Sequence, residues 1–218
     1  MVPMPNNKKP KSGRKLRRRS KTLIVIGSIL ILAAASLTLY NVWDSDRAGR
    51  VSAAIEEQLD AAIEANAQAA TDHCTVSDDR EMHTVTLDGV RYIGTITIPA
   101  AELVLPVRYD YTFEALKNSP CRYYGSYLTN DLVICAHNSR KHFGPIRYLM
   151  AGDDIYLRTV DGDQIHYVVL GLETIQPDEI DRMISTENEK FDKWDLTLFT
   201  CYVGGQTRCA VRCARADN

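Results

Sequence analysis

Three side chains of this sequence have the types needed to attack a carbonyl carbon and manage the charge that follows. Cys201 closes the β-branched and apolar run "TLFTC", His137 closes "DLVICAH", and Arg208 stands beyond the glycine pair of "YVGGQTR". A thiol becomes a nucleophile when a neighbouring base or cation favours its thiolate, and the oxyanion that forms needs donors aimed at it. If the Gly204-Gly205 stretch is a turn, the runs on either side pair and Cys201 faces Arg208 at the hairpin mouth. Arg212 is the rival cation. Four residues along a strand keep it on the same face but carry it about 13 Å away, and it is expected as a surface charge on an edge strand. Of the five histidines, His137 sits where an apolar strand gives way to the polar loop that starts at Asn138. It can be held rigidly there and still meet a substrate. His142 in that loop, His166 within a strand, and His73 and His83 in a polar linker read as solvated or structural.

Cys201 also has blander readings. It could be half of a disulfide or a buried, inert thiol. The six cysteines, at 74, 121, 135, 201, 209 and 213, follow no zinc-ligand spacing. Cys135, Cys209 and Cys213 read as small core hydrophobes, with disulfides as the other option. A disulfide that took Cys201 itself would remove the nucleophile.

The elements that must position these groups begin with an unusual N-terminus. The chain of 218 residues suits one ordinary domain with appendages. Lys8 to Lys21 holds nine Lys and Arg and no acid, and Thr22 to Trp43 is 22 residues without a charge. About 20 such residues cross a bilayer core. A basic flank before the span places the N-terminus in the cytoplasm and everything after Asp44 outside. The competing reading is a cleaved secretory signal, with "AAAS" as the cleavage site. The length of the run favours an anchor, and both readings export the remainder. Without the nine cations, 17 Lys and Arg face 28 Asp and Glu. An exported part that acidic argues against nucleic acid as a partner. The basic tail suits anionic lipid heads, which makes the lipid bilayer an expected partner.

After the span, "DRAGRVSAAIEEQLDAAIEANAQAAT" is rich in helix formers, and Val51, Ile55, Leu59 and Ile63 make an apolar stripe. A stalk helix leaning on the domain is expected, with a coiled-coil partner as the minor alternative. The polar stretch "DHCTVSDDREMH" ends it. From about Thr84 the pattern turns to strands: "VRYIGTITIP", "ELVLPVRYDY", "DLVICAHN", "DIYLRTVDGDQIHYVVLGLETI", "LTLFTCYV" and "TRCAVRCAR". Asp161-Gly162 marks a hairpin. "TFEALKNS" and "PDEIDRMIST" read as short helices, the second with Pro177 in its first turn. The expected fold is mainly β, a closed or nearly closed barrel with short helical insertions over 84–218. A basic cytoplasmic tail (1–21), a transmembrane anchor (22–43) and a helical stalk and linker (44–83) precede it.

"TLFTC" resembles the Thr-Leu-x-Thr-Cys signature of bacterial sortases, the cysteine transpeptidases of the Gram-positive cell surface. "IGTITIPAAELVLPV" resembles that family's opening strands, "LVICAHNSRKHFG" the strand and loop bearing its histidine, and "TRCAVRCAR" the closing strand bearing its arginine. The likeness covers roughly Thr84 to Arg215. It implies Cys201 as nucleophile, His137 as acid and base, and Arg208 as stabiliser of substrate and oxyanion. Thr200 and Tyr202, which flank the nucleophile, become substrate-binding residues. Ala136 stands where glycine is common before the histidine.

The resemblance further implies a membrane-anchored enzyme with its catalytic domain outside the cell. Its substrates would be surface-protein precursors carrying a C-terminal sorting signal of the Leu-Pro-x-Thr-Gly type. The acyl group would pass through a thioester on Cys201 to an amine of peptidoglycan or of another surface protein, with no metal and no cofactor. With a thiol near pKa ~8.5 and an imidazole near ~6.5, only a small reverse-protonated fraction is active and the pH profile is bell-shaped. The stretch Gln176 to Asp195 is where this family shapes recognition. Glu173, Asp178 and Glu179 lack calcium-ligand spacing and read as a solvated acidic face. Three rivals stand beside this reading. A secreted cysteine protease or hydrolase shares the thiol and imidazole. A non-catalytic, membrane-tethered β-domain would bind a surface polymer or protein. A pilin-polymerising sortase would carry an aromatic-acid lid, for which "NVWDSD" has the residue types but lies at the membrane boundary.

Overall fold

The computed structural model describes residues 13–72, 81–202 and 204–216. The start of the basic tail, His73 and Cys74 lie outside the described residues. The chain divides into two units, Met1–Asp44 and Ser45–Asn218. One continuous helix, α1 (Gly13–Asp72), passes from the first into the second.

Within α1 lies a stretch long and apolar enough to cross a membrane, with a mean hydropathy of 2.4 in its most apolar window. Its large side chains, from Leu23 through Trp43, are exposed. Further along, the stripe read from the sequence does lean on the domain. Leu59 and Ile63 are fully buried against Tyr92 and Val160, with Ile55, Val85, Leu87 and Val90 packed around them. Ser52 donates to the carbonyl of Asn118 at 2.9 Å, and Asp60 pairs with Arg158 at 3.1 Å. A helix with one apolar stripe gains its stability from such packing more than from propensity.

The strands are β1 (Val85–Leu87), β2 (Val90–Ile98), β3 (Leu103–Arg108), β4 (Cys121–Tyr124), β5 (Leu132–Cys135), β6 (Asp154–Thr159) and β7 (Gln164–Ile175). After them come β8 (Glu187–Asn188), β9 (Asp192–Lys193), β10 (Leu196–Cys201) and β11 (Arg208–Arg215). The sheet runs β1-β2-β3-β4-β5-β10-β11-β7-β6, and β6 also pairs with β2. That last pairing closes β2 to β11 into an eight-stranded barrel, with β1 outside and β8–β9 a separate small hairpin. Alternate residues fill the interior: Ile96 and Ile98, Leu105 and Val107, Leu132 and Ile134, Leu196 and Leu198, Val211 and Cys213.

The closing seams are unequal. β4 joins β3 through the single register pair Arg108↔Cys121 and joins β5 with a shift between Arg122 and Tyr124. "CRYY" is too short to announce itself as a strand in the sequence. The two expected helices also shrink. "TFEALKNS" yields a 3₁₀ turn at Ala115–Lys117, and "PDEIDRMIST" yields α2 (Ile180–Ile184), which leaves Pro177 ahead of the first turn. Segments of this length cannot offset the cost of helix nucleation for more than one turn.

Candidate active site

Two strand pairs assemble the site. β10 runs parallel to β5 with Leu196↔Leu132 through Phe199↔Cys135 in register. Two hydrogen bonds extend that seam past the end of β5. The Ala136 amide donates to the Phe199 carbonyl at 3.2 Å, and the Thr200 hydroxyl donates to the Ala136 carbonyl at 2.9 Å. The next residue on one strand is Cys201 and on the other His137. On the opposite flank β10 is antiparallel to β11, with Cys201↔Arg208 as its last pair. Leu132, Ile134, Leu196 and Leu198 point into the core, so alternation turns Val133, Cys135, His137, Phe199, Cys201 and Arg208 to the outer face. His137 is exposed; Cys201 and Arg208 are half-buried.

The turn between the two strands has the conformation its glycines allow. Gly204 and Gly205 have φ of +86° and +70°, the left-handed region that other residues enter at a steric cost. The Tyr202 amide donates to the Thr207 carbonyl at 2.9 Å, and the Gly205 amide to the Tyr202 carbonyl at 2.8 Å. The Arg208 guanidinium donates through Nη1 to the Gly205 carbonyl at 2.9 Å. The loop after His137 is just as tightly tied. The His137 carbonyl accepts from the Ser139 amide at 2.9 Å and the Phe143 amide at 3.2 Å. Arg147 donates to the Asn138 side chain at 2.8 Å and to the Gly144 carbonyl at 2.7 Å. His142 is structural, fully buried with Nε2 3.5 Å from the Ser52 hydroxyl of α1.

Thr200 and Tyr202 fall on the face away from Cys201. Thr200 is 2% exposed, and its hydroxyl holds β5 to β10. The Tyr202 phenol lies against Cys209 and Thr174, and burial raises its pKa. Both side chains fix the strands in place and neither lies beside the thiol. Cys121, Cys135, Cys201, Cys209 and Cys213 are free thiols. Burial pushes the Cys121 thiol up to about 11 and raises Cys135, Cys209 and Cys213 as well.

Arg212 is not the surface charge the sequence suggested. Its side chain is 1% exposed and pairs with Glu173, itself 9% exposed. Its guanidinium donates to the Thr197 hydroxyl at 2.7 Å and to the Arg182 carbonyl at 2.6 Å, and lies 4.4 Å from the centre of the Trp194 ring. Desolvation lowers its pKa, and Glu173 opposes that shift. The acidic face is solvated only in part, at the exposed Asp178. Glu173 is engaged by Arg212 and Arg182, and Glu179 by Arg182 and the Gln176 amide. β11 is flanked by β10 and β7 rather than lying at an edge, and at Arg212 its outer face is covered by α2 and the Trp194 ring.

An apolar floor that the sequence did not single out leads to the three groups. Val133, Cys135, Phe199, Ala210, Ile175 and Met183 form a second buried cluster on the outer face. The Tyr123 ring stands edge-on to Phe199 at 5.1 Å, and Tyr111 stands edge-on to Tyr123 at 5.3 Å. Tyr111 is also within electrostatic reach of Arg208. The signal was present in "TLF", because a strand apolar at consecutive positions is covered on both faces.

The family model of the sortase domain matches residues 96–216, more than half of the chain. The chain belongs to the sortase family. Among solved structures this sortase is similar to sortase C from Clostridium perfringens SM101, at 25% identity and TM-score 0.50, covering 82% of this chain and 99% of that one. Clostridium perfringens sortase C with the C-terminal cell wall sorting motif matches at 24% identity and TM-score 0.50, covering 83% and 100%. Streptococcus pneumoniae sortase C shares the fold at 20% identity and TM-score 0.53, covering 75% and 97%. No curated protein matches the chain.

Proposed function

We propose that this sortase is a membrane-anchored cysteine transpeptidase in which Cys201, His137 and Arg208 carry the reaction. The observation that supports this most is the register of β10: Arg208 stands across from Cys201 on one side, and the strand ending in His137 runs alongside on the other. The Cys201 sulfur attacks the carbonyl carbon before the scissile bond. Arg208 donates to the oxygen as negative charge gathers there. The carbon–nitrogen bond breaks as His137 protonates the departing amine, and a thioester remains on Cys201. An incoming amine then loses its proton to His137, attacks the thioester, and releases the thiol.

The substrate on this reading is the C-terminal sorting signal of a surface-protein precursor, bound extended over the floor around Phe199. A related sortase C solved with a cell wall sorting motif supports that class of substrate. The apolar stretch of α1 anchors the enzyme in the membrane, and the basic tail before it holds the N-terminus in the cytoplasm. Transfer to an amine of the cell wall and hydrolysis share one thioester, so the acceptor is settled by the product. Incubation with a panel of sorting-signal peptides, followed by mass spectrometry, is expected to find an acyl adduct on Cys201, and adding triglycine is expected to give a ligated peptide. Cys201→Ala abolishes both. An adduct elsewhere, or cleavage that persists in Cys201→Ala, overturns the assignment. Cleavage with no ligated product favours the hydrolase.

A further inference from the structure

Outside the proposed catalytic trio, the structure sets two other thiols face to face. Cys121 of β4 and Cys135 of β5 are direct register partners in an antiparallel pair. Both belong to the apolar cluster of the outer face, at 0% and 2% exposure. Residues directly opposite in such a pair have Cα atoms about 4.5 to 5.5 Å apart, inside the range of about 4.4 to 6.8 Å that a disulfide spans. Their Cβ atoms start about 4.5 to 5.5 Å apart, and bridging needs about 3.5 to 4.5 Å. An approach of about 1 Å is therefore required. β4 is the strand able to make it, being four residues long, irregular after Arg122, and joined to β3 by one register pair.

We propose that Cys121 and Cys135 are a redox pair that closes into a cross-strand disulfide in an oxidising compartment, stapling β4 to the strand that leads into His137. The proposal uses the exported location argued above but not the chemistry of Cys201. Each thiol gives up a proton and the pair gives up two electrons. The acceptor is a small-molecule disulfide or a thiol–disulfide oxidoreductase; with oxidised glutathione, one molecule becomes two of glutathione. Cys121 is the attacking thiol, because the Arg108 guanidinium beside it partly opposes the effect of burial, whereas the Cys135 thiol is raised further with Cys121 and Cys201 as thiol neighbours. With both sulfurs shielded, the bond forms while β4 is undocked and is protected once it docks. The bond would add a covalent tie to the β4–β5 seam, whose register shifts after Arg122.

Trypsin reads the result directly, since it cuts at Lys117, Arg122 and Arg140 and so places the two cysteines on separate peptides, 118–122 and 123–140. The full chain in detergent is equilibrated with oxidised glutathione just below its melting temperature, where a weak seam opens transiently. It is then quenched in acid, alkylated and digested. The expected product is one cross-linked species joining 118–122 to 123–140, lost on reduction. A closed loop of this length is expected to raise the melting temperature by roughly 5–10 °C over the reduced protein, and Cys121→Ala is expected to erase that gap. Separate alkylation of both thiols, or a link from either to Cys201 or any other cysteine, overturns the proposal. Retention of the gap in Cys121→Ala overturns it too. Failure of the peptide-transfer test leaves this measurement intact, so the two readings fail separately.

Discussion

β11 carries two arginines on one face, four residues apart, and the structure treats them oppositely. Arg208 lies at the hairpin mouth, half-buried, beside a thiol and a turn held by two glycines. Arg212 lies two periods of the strand alternation further in, sealed between Glu173, Thr197 and the Trp194 ring. The first donates to the carbonyls of Gly205 and Thr207 in its own hairpin and has no carboxylate partner among the described residues; on the proposed mechanism its charge meets a substrate oxygen. The second is committed to holding α2 against the barrel, through Glu173 of β7 and the carbonyls of Arg182 and Met183. Residue type and face are the same at both positions. What differs is whether a carboxylate shares the burial, and on the proposed mechanism that separates a reactive cation from a structural one.

Substitutions can break this contrast. The largest effect on stability is expected at the closed end. Arg212→Met leaves Glu173 buried without its main partner and should cost about 3–5 kcal/mol, measured by chemical denaturation. Arg212→Met combined with Glu173→Leu should recover most of that loss, because a buried ion pair replaced whole by apolar groups is close to neutral. At the open end, Arg208→Ala should leave the melting temperature within about 2 °C yet lower kcat by about 10²–10³-fold, the usual loss for one oxyanion donor. If Arg208→Ala unfolds the protein while Arg212→Met leaves it stable and inactive, the two roles are exchanged. The smallest effect sharpens the geometry between them. Thr200→Val removes the hydroxyl that ties the end of β10 to Ala136, and should cost about 1 kcal/mol. Turnover should fall about tenfold as His137 loses its fixed distance from Cys201.

The barrel was legible because its strands are β-branched and separated by turn residues, and because "VGGQ" marks a hairpin whose pairing follows from symmetry about the turn. Convergence of Cys201 with Arg208 followed from that local pairing alone. His137 is different. Its strand-end position marked it out among the histidines, but its alignment with Cys201 depends on a parallel pairing between residues 64 apart in the chain, which no local pattern encodes; likeness to a family supplied that link. Arg212 was misplaced for a related reason: β11 reads as the last strand in sequence but is interior in space, with β7 on its second side. β4 and the face-to-face thiols were missed because a four-residue strand has too few alternations to register as one.

The stripe formed by Leu59 and Ile63 has a practical consequence. The polar break before residue 84 looks like the natural place to trim the chain for a secreted, water-soluble enzyme. Scissors placed there would strip the cover from Tyr92 and Val160 and forfeit about 1.5–3 kcal/mol for each large apolar side chain that loses its burial. The safe cut falls in mid-helix, between Trp43 and the first buried residue, Ala48, with the greasy half removed and the half that covers Tyr92 and Val160 kept.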